Sequence, residues 1–524
     1  MARRYDHHSL TGARFGATRR LDDEDVTLTV QPMTATLTRR SLPTFLAVTG
    51  AVLLCGAILA IQPLLVFALI GAGIVLRLAF AAPVLNLVTL IALTAIVPFG
   101  LQNRFGIGGG TGAPGLLLSD ALLAAGLVRA GYTILRKPLE RRLLLPALLV
   151  AAFMATAGLQ AVRGLALGRD LSTVGAEFRV LLGFGTFLVA LPILADPRGR
   201  AKLLRSLPVV GLALGLWGIG QWVFDVGFAE AGDAGVREGI RLTSSGRGQI
   251  QGGLYAYPVA AVLSLVALTV GQRRSLRSQA LLAAVGVLNV IALLLTYERT
   301  FWVATVLAFS FTMVRAGAAQ RLRGLIWAGT AVILMFAALS TLAPGELGAA
   351  RERLLSLSQY GSDNSVQYRL VESRHVLHEI GAKPWIGSGL AATIFWGRPW
   401  VNVPPETFTF SHNGYLWLIW KVGILGALLL WIPLARAIIS RTPTEDDELF
   451  HAMRHGCQGA LLALIVVNVT FPAFSQIGIA PTMGLLMAVA LATRTGPPSR
   501  ATEHSASEGR PSQLHPARMT RADA

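Results

Sequence analysis

Along the 524-residue chain, apolar positions arrive in unbroken blocks, not in the alternation of a half-buried strand or the single stripe of a surface helix. Each block is roughly 20 residues long, enough to cross a hydrocarbon core of about 30 Å as a helix. Inside such a core every backbone N–H and C=O must be satisfied within its own segment, so the blocks predict helices. They fall near 42–61, 64–82, 84–101, 115–132, 143–162, 176–195, 206–224, 253–271, 278–296, 300–316, 323–343, 412–436, 457–475 and 478–493. The expected fold is an all-α integral membrane protein of about fourteen transmembrane helices. A long connection, 344–411, separates the eleventh span from the twelfth.

Composition agrees. Hydrophobic residues make up 53% of the chain and charged residues 14%, against about 25% charged in an ordinary soluble domain. The formal net charge of +18 raises nucleic acid as a partner, but its distribution argues against one. Basic residues cluster in alternate connections: Arg39 and Arg40, then Arg136, Lys137, Arg141 and Arg142, then Arg198, Arg200, Lys202 and Arg205. Alternation of this kind is the positive-inside pattern, and it puts both termini in the cytoplasm with an even number of spans. The Arg39-Arg40 pair has the form of a twin-arginine export signal. The long apolar run beyond it and the many later spans make it the inner flank of a first anchor. Residues 1–41 and 496–524 are basic, poor in large apolar side chains and expected to be disordered cytoplasmic tails around a membrane domain at 42–495. Cys55 and Cys457 lie far apart within expected spans, with no metal-ligand spacing.

Candidate chemistry concentrates in two connections that the topology puts outside, 225–252 and 344–411. The longer one carries helical patterning over 364–381: Asn364 or Ser365 can cap, Val366, Leu370, Leu377 and Ile380 recur at helical spacing, and Gly381 with Pro384 stops the run. That describes a lid outside the membrane. Both connections carry arginines against the positive-inside bias, among them Arg241, Arg247 and Arg369, and guanidinium forks suit a phosphate or pyrophosphate. The loop acids show no metal-ligand spacing and are expected to pair with these arginines. His412 stands where the long loop enters a span, in Phe410-Ser411-His412-Asn413-Gly414, and its imidazole suits proton transfer near neutral pH.

His412-Asn413, followed after nine residues by Gly423-x-x-Gly426, resembles the signature of the bacterial O-antigen ligase and polymerase superfamily. Upstream, Tyr368-Arg369-Leu370 and then Pro384-Trp385-Ile386-Gly387-Ser388-Gly389 resemble that family's arginine-led helix and Pro-x-x-Gly-x-Gly turn. Tyr297-Glu298-Arg299 resembles its Ser-Arg element, with Glu298 in place of a small polar residue. Arg241-Leu242-Thr243 ahead of Tyr257-Pro258 resembles its first arginine segment; Val259 replaces the usual Asn and the spacing is long, so Arg247 is the alternative match. The similarity covers roughly residues 206–475.

The resemblance implies a multi-pass glycosyltransferase of the cytoplasmic membrane, in surface lipopolysaccharide or exopolysaccharide biosynthesis. Its donor would be a glycan on polyprenyl pyrophosphate and its acceptor a lipid, glycan or protein hydroxyl. It further implies inverting, metal-independent transfer without a cofactor. His412 would be the base; Arg241 or Arg247, Arg369 and Arg299 would hold the pyrophosphate, Arg299 having interface anchoring as its other reading. Ligase and polymerase share these motifs. A lipid-linked sugar transporter is the rival class, because Asp120, Arg179 and Lys421 fall in or near expected spans.

Overall fold

The computed structural model describes residues 63–97, 115, 117–224, 253–270, 275–342, 364–396, 406–440 and 448–492, with isolated positions from 344 to 351. The chain divides into two compact units, Met1–Phe67 and Ala68–Ala524. Only 63–67 of the first are described, as the start of α1. The termini expected to be disordered, the first expected span at 42–61 and the connection at 225–252 lie outside the described residues.

Apolar blocks become helices almost wherever the sequence is described: α1 (Pro63–Ala81), α2 (Pro83–Ile96), α3 (Leu118–Arg136), α4 (Arg141–Ala166), α5 (Leu171–Gly183), α6 (Thr186–Ala195), α7 (Pro197–Val223) and α8 (Ala256–Val270). The series continues with α9 (Leu276–Leu294), α10 (Arg299–Arg315), α11 (Ala318–Leu342), α12 (Asn364–Ala382), α13 (Gly414–Ile439), α14 (Glu448–Val467) and α15 (Ala480–Leu491). Among the described residues eight helical stretches are long and apolar enough to cross a membrane, α5 and α6 together forming one of them. Many large side chains face outward on them, Leu135, Leu159, Leu216 and Ile333 for example. An apolar exterior of that extent suits a lipid-exposed surface. The protein is a mostly helical, multi-pass membrane protein.

Three expectations change. The spans expected at 64–82 and 84–101 form a pair bent by 118°, with the composition of one broken span or a re-entrant loop. Pro83 opens the second helix, where its ring disfavours helical continuation through Ala82. Among the described residues there are eight candidate spans, or nine if this bent pair counts as one. The span expected at 457–475 is instead α14, which starts nine residues earlier and stops at Val467. Its polar beginning escaped the hydropathy pattern because Arg454 is buried, its Nε donating to Ala490 O at 2.8 Å. Its end is set by a turn that runs into Pro472. Lastly, the fold is not wholly α. Strands β1 (Ile394–Trp396) and β2 (Glu406–Phe408) pair antiparallel, Phe395 opposite Thr407.

Short helices occupy the centre. Every residue of α15 is buried, as is nearly all of α8, and both pack on α14. A helix that is apolar on all sides belongs there, with no polar face to present elsewhere.

A broken helix with a threaded loop

Helix α13 is broken within its length. Gly423 takes φ 75° and ψ 170°, breaking the helix nine residues after Gly414, about 13 Å along its axis at 1.5 Å per residue. The break strands main-chain groups, and the segment 384–389 takes them up. Ser388 N donates to Trp420 O at 2.7 Å and Gly389 N to Lys421 O at 3.1 Å. In return Ile424 N donates to Pro384 O at 2.8 Å and Leu425 N to Trp385 O at 3.3 Å. A Cβ on Gly387 would sit 2.5 Å from Gly423 N, and one on Gly423 would collide with Trp385 O. The Pro-x-x-Gly-x-Gly and Gly-x-x-Gly elements are thus two halves of one joint. Part of the connection expected wholly outside the membrane accordingly enters the bundle, because an opened helix there needs donors and acceptors that lipid cannot supply.

Helix α4 and its exit hold the other side of the loop. Gln160 Nε2 donates to Ile386 O (2.8 Å), Arg163 to Gly387 O (2.9 Å), and Arg169 to Leu390 O (2.6 Å) and Ser388 O (2.8 Å). Lys421, fully buried beside the break, pairs with Glu177 of α5 at 2.7 Å and donates to Ala392 O at 2.8 Å. The second Glu177 oxygen accepts from Ala391 N at 2.7 Å. Each charge is paired and further hydrogen-bonded, the condition under which burial is tolerable.

Candidate active site

His412 follows directly from this frame. After β2 the chain returns through Phe410 and Ser411 to Asn413, whose Oδ1 caps α13 by accepting from Tyr415 N (3.0 Å) and Leu416 N (3.1 Å). Gly414 N donates to Asn468 O at 2.8 Å, tying the helix start to the turn after α14. His412 is held immediately before the cap, its side chain 25% exposed.

Helix α12 supplies the opposing wall. The helix expected from the spacing of Leu370 and Leu377 forms, but those two side chains are 51% and 52% exposed. The inward face runs through half-buried Tyr368 and buried Glu372 and Val376, each four residues on from the last. Glu372, with no exposed surface, accepts from His412 N at 2.9 Å and faces His412 Nδ1 with both oxygens at 3.2 Å. The acid expected to pair with loop arginines pairs with the histidine. Tyr368 and Phe410 pack edge-to-face with the imidazole, with centroids 5.5 and 5.1 Å away.

Arg369, three residues before Glu372, is carried beside this group by the same helix. Its guanidinium carbon lies 5.9 Å from the centroid of Phe471, within cation–π range. Phe471 also packs on Phe301 (5.3 Å), two residues after Arg299, and on Tyr255 (6.1 Å), where the chain re-enters the bundle after 225–252. Thr470 bonds Thr300 at 2.8 Å. The turn 468–474 therefore gathers the starts of α8, α10 and α13 together with α12. Arg299, Arg369 and His412 come to one end of the bundle; Arg241 and Arg247 lie outside the described residues. No local pattern marked Glu372 as the partner of His412, and hydropathy alone reads this turn as span. The one available signal was Pro472, which cannot continue a helix.

The charges that suggested transport are structurally paired: Asp120 with Arg179 at 2.9 Å, and Lys421 with Glu177. Among the described residues no group of three or more His, Cys, Asp or Glu side chains is arranged to hold a metal ion.

Residues 282–431, from α9 to within α13, match the family model described as O-antigen ligase. The matched stretch includes Arg299, Arg369, Glu372, His412, Gly423 and Gly426, and supports the O-antigen ligase and polymerase superfamily. No curated protein matches the chain.

Proposed function

From this O-antigen ligase segment in a multi-pass membrane protein, we propose a glycosyltransferase that moves a glycan from a polyprenyl-pyrophosphate carrier to an acceptor hydroxyl. It acts at the outer face of the cytoplasmic membrane. The convergence of His412 and Arg369 on one end of the bundle carries the proposal. His412 is the base that takes the acceptor proton. Arg369 and Arg299, with Arg241 or Arg247 from the preceding connection, hold the pyrophosphate, whose charge grows as the glycosidic bond breaks. Preorganised cations at a developing charge are commonly the largest source of rate enhancement. Attack opposite the departing pyrophosphate inverts the sugar carbon. A lateral path for the polyprenyl chain accords with the apolar exterior of the helices.

The test is turnover of a polyprenyl-pyrophosphate oligosaccharide by the full chain in liposomes, with the donor itself or a lipid-sugar extract as acceptor. Wild type releases lipid pyrophosphate and His412→Ala does not. A ladder of products identifies a polymerase and a single shifted band a ligase. Donor crossing the bilayer unreacted, with either protein, would replace this reading by transport.

A further inference from the structure

A carboxylate with no exposed surface is costly unless its oxygens are well bonded. The bonds that Glu372 makes go to one residue: the main-chain N of His412 and its Nδ1. Among the described residues no Arg or Lys forms an ion pair with it. We infer that Glu372 is the positioning residue for His412, fixing the imidazole with its proton on Nδ1 and presenting Nε2 as the atom that accepts the acceptor's proton. The inference rests on the base role proposed above.

The chemistry follows from the tautomers. A neutral imidazole carries one N–H, and a carboxylate offers only lone pairs. With both Glu372 oxygens 3.2 Å from Nδ1, the proton belongs there and the Nε2 lone pair is open. No described residue hydrogen-bonds Nε2. The rings of Tyr368 and Phe410 flank the imidazole, so its plane as well as its tautomer is set before substrate arrives. Because Glu372 also receives the His412 main-chain N–H, carboxylate and imidazole move as one unit.

In the transfer step the acceptor O–H proton passes to Nε2 while the acceptor oxygen bonds to the anomeric carbon. The bond from that carbon to the phosphate oxygen breaks, and its electron pair leaves with the lipid pyrophosphate. The imidazolium so formed keeps Nδ1–H on Glu372, whose negative charge stabilises it until the Nε2 proton passes to solvent. An acid behind a histidine base does the same in hydrolytic triads.

The test combines spectroscopy with kinetics on the full chain in nanodiscs. With 15N-labelled histidine, His412→Gln identifies the His412 signals by their loss. Wild type shows a protonated Nδ1 and a bare Nε2; Glu372→Gln shifts population toward the Nε2–H form. In turnover Glu372→Gln lowers kcat by on the order of 100-fold or more with donor KM unchanged, the range for loss of effective general-base catalysis. Glu372→Asp keeps the charge and regains part of kcat with the Nδ1–H tautomer retained. It also carries the test should the Gln variant not fold; wild-type kcat together with an Nε2–H signal in Glu372→Asp overturns the inference. If His412→Ala is inactive while Glu372→Gln keeps wild-type kcat and tautomer, the positioning role fails and the base role stands. If His412→Ala turns over normally, both fall.

Discussion

Three glycines with positive φ test how firmly the loop is seated in the broken helix. Gly168 (φ 71°) faces open space, Gly389 (φ 90°) has Arg169 Nη1 3.2 Å from its hypothetical Cβ, and Gly387 (φ 71°) has main chain on two sides. Alanine at any of them costs about 1–2 kcal/mol of left-handed strain, and at Gly168 the cost ends there. At Gly389 the guanidinium must shift, weakening its bonds to Leu390 O and Ser388 O, so the total rises to roughly 2–3 kcal/mol. At Gly387 the methyl would lie 2.5 Å from Gly423 N and 2.8 Å from Lys421 O, and relief requires parting the loop from the helix. Four main-chain bonds then go, each leaving buried groups unsatisfied at about 1–3 kcal/mol, which with the strain amounts to roughly 5 kcal/mol or more. That rivals the whole stability of many domains, about 5–15 kcal/mol. The assay is unfolding in mixed micelles with rising SDS, read by labelling the fully buried Cys457 thiol in a Cys55→Ser background. The order of loss should be Gly168→Ala, then Gly389→Ala, then Gly387→Ala. If Gly387→Ala unfolds within about 1 kcal/mol of Gly168→Ala, a gap no wider than the left-handed strain itself, the loop is not threaded through the break.

Further outcomes follow from the same geometry. Lys421→Met strands the Glu177 carboxylate and should cost about 3–5 kcal/mol in that unfolding assay. Adding Glu177→Gln should recover part of this; strict additivity would show that the pair is not coupled. Arg369→Lys replaces a planar fork with a point charge and should raise donor KM about tenfold, the equivalent of one charge-assisted hydrogen bond. An unchanged KM would remove Arg369 from the pyrophosphate site. Arg241→Ala and Arg247→Ala, compared at equal protein in liposomes, should differ, with only the true phosphate ligand losing turnover. Equal wild-type rates would exclude both.

Helix positions were legible because hydropathy and main-chain satisfaction are local. The expected 278–296, 300–316 and 323–343 became Leu276–Leu294, Arg299–Arg315 and Ala318–Leu342. Where a helix is polar but buried, as at the start of α14, the same pattern misplaced it. The bend at Pro83 was equally out of reach: proline announces a boundary but not the angle across it, and the angle decides whether two apolar blocks make two spans or one.

For the candidate site, the sequence by itself determined the residue types and their order: His412 before a helix cap, Arg369 on a loop helix, and glycines at set spacings. These depend on neighbours a few residues away and on the family motif. Only the tertiary structure decided the partners. Glu372 and His412 are forty residues apart and meet because the β1–β2 pair brings the chain back to α12. Gly387 and Gly423 meet because a broken helix needs hydrogen bonds that only another stretch of main chain supplies. Leu370 and Leu377 face outward although they are apolar, since the inward side of their helix is claimed by a carboxylate with a histidine to bind. Periodicity says which side chains share a face; what that face will meet depends on contacts distant in sequence.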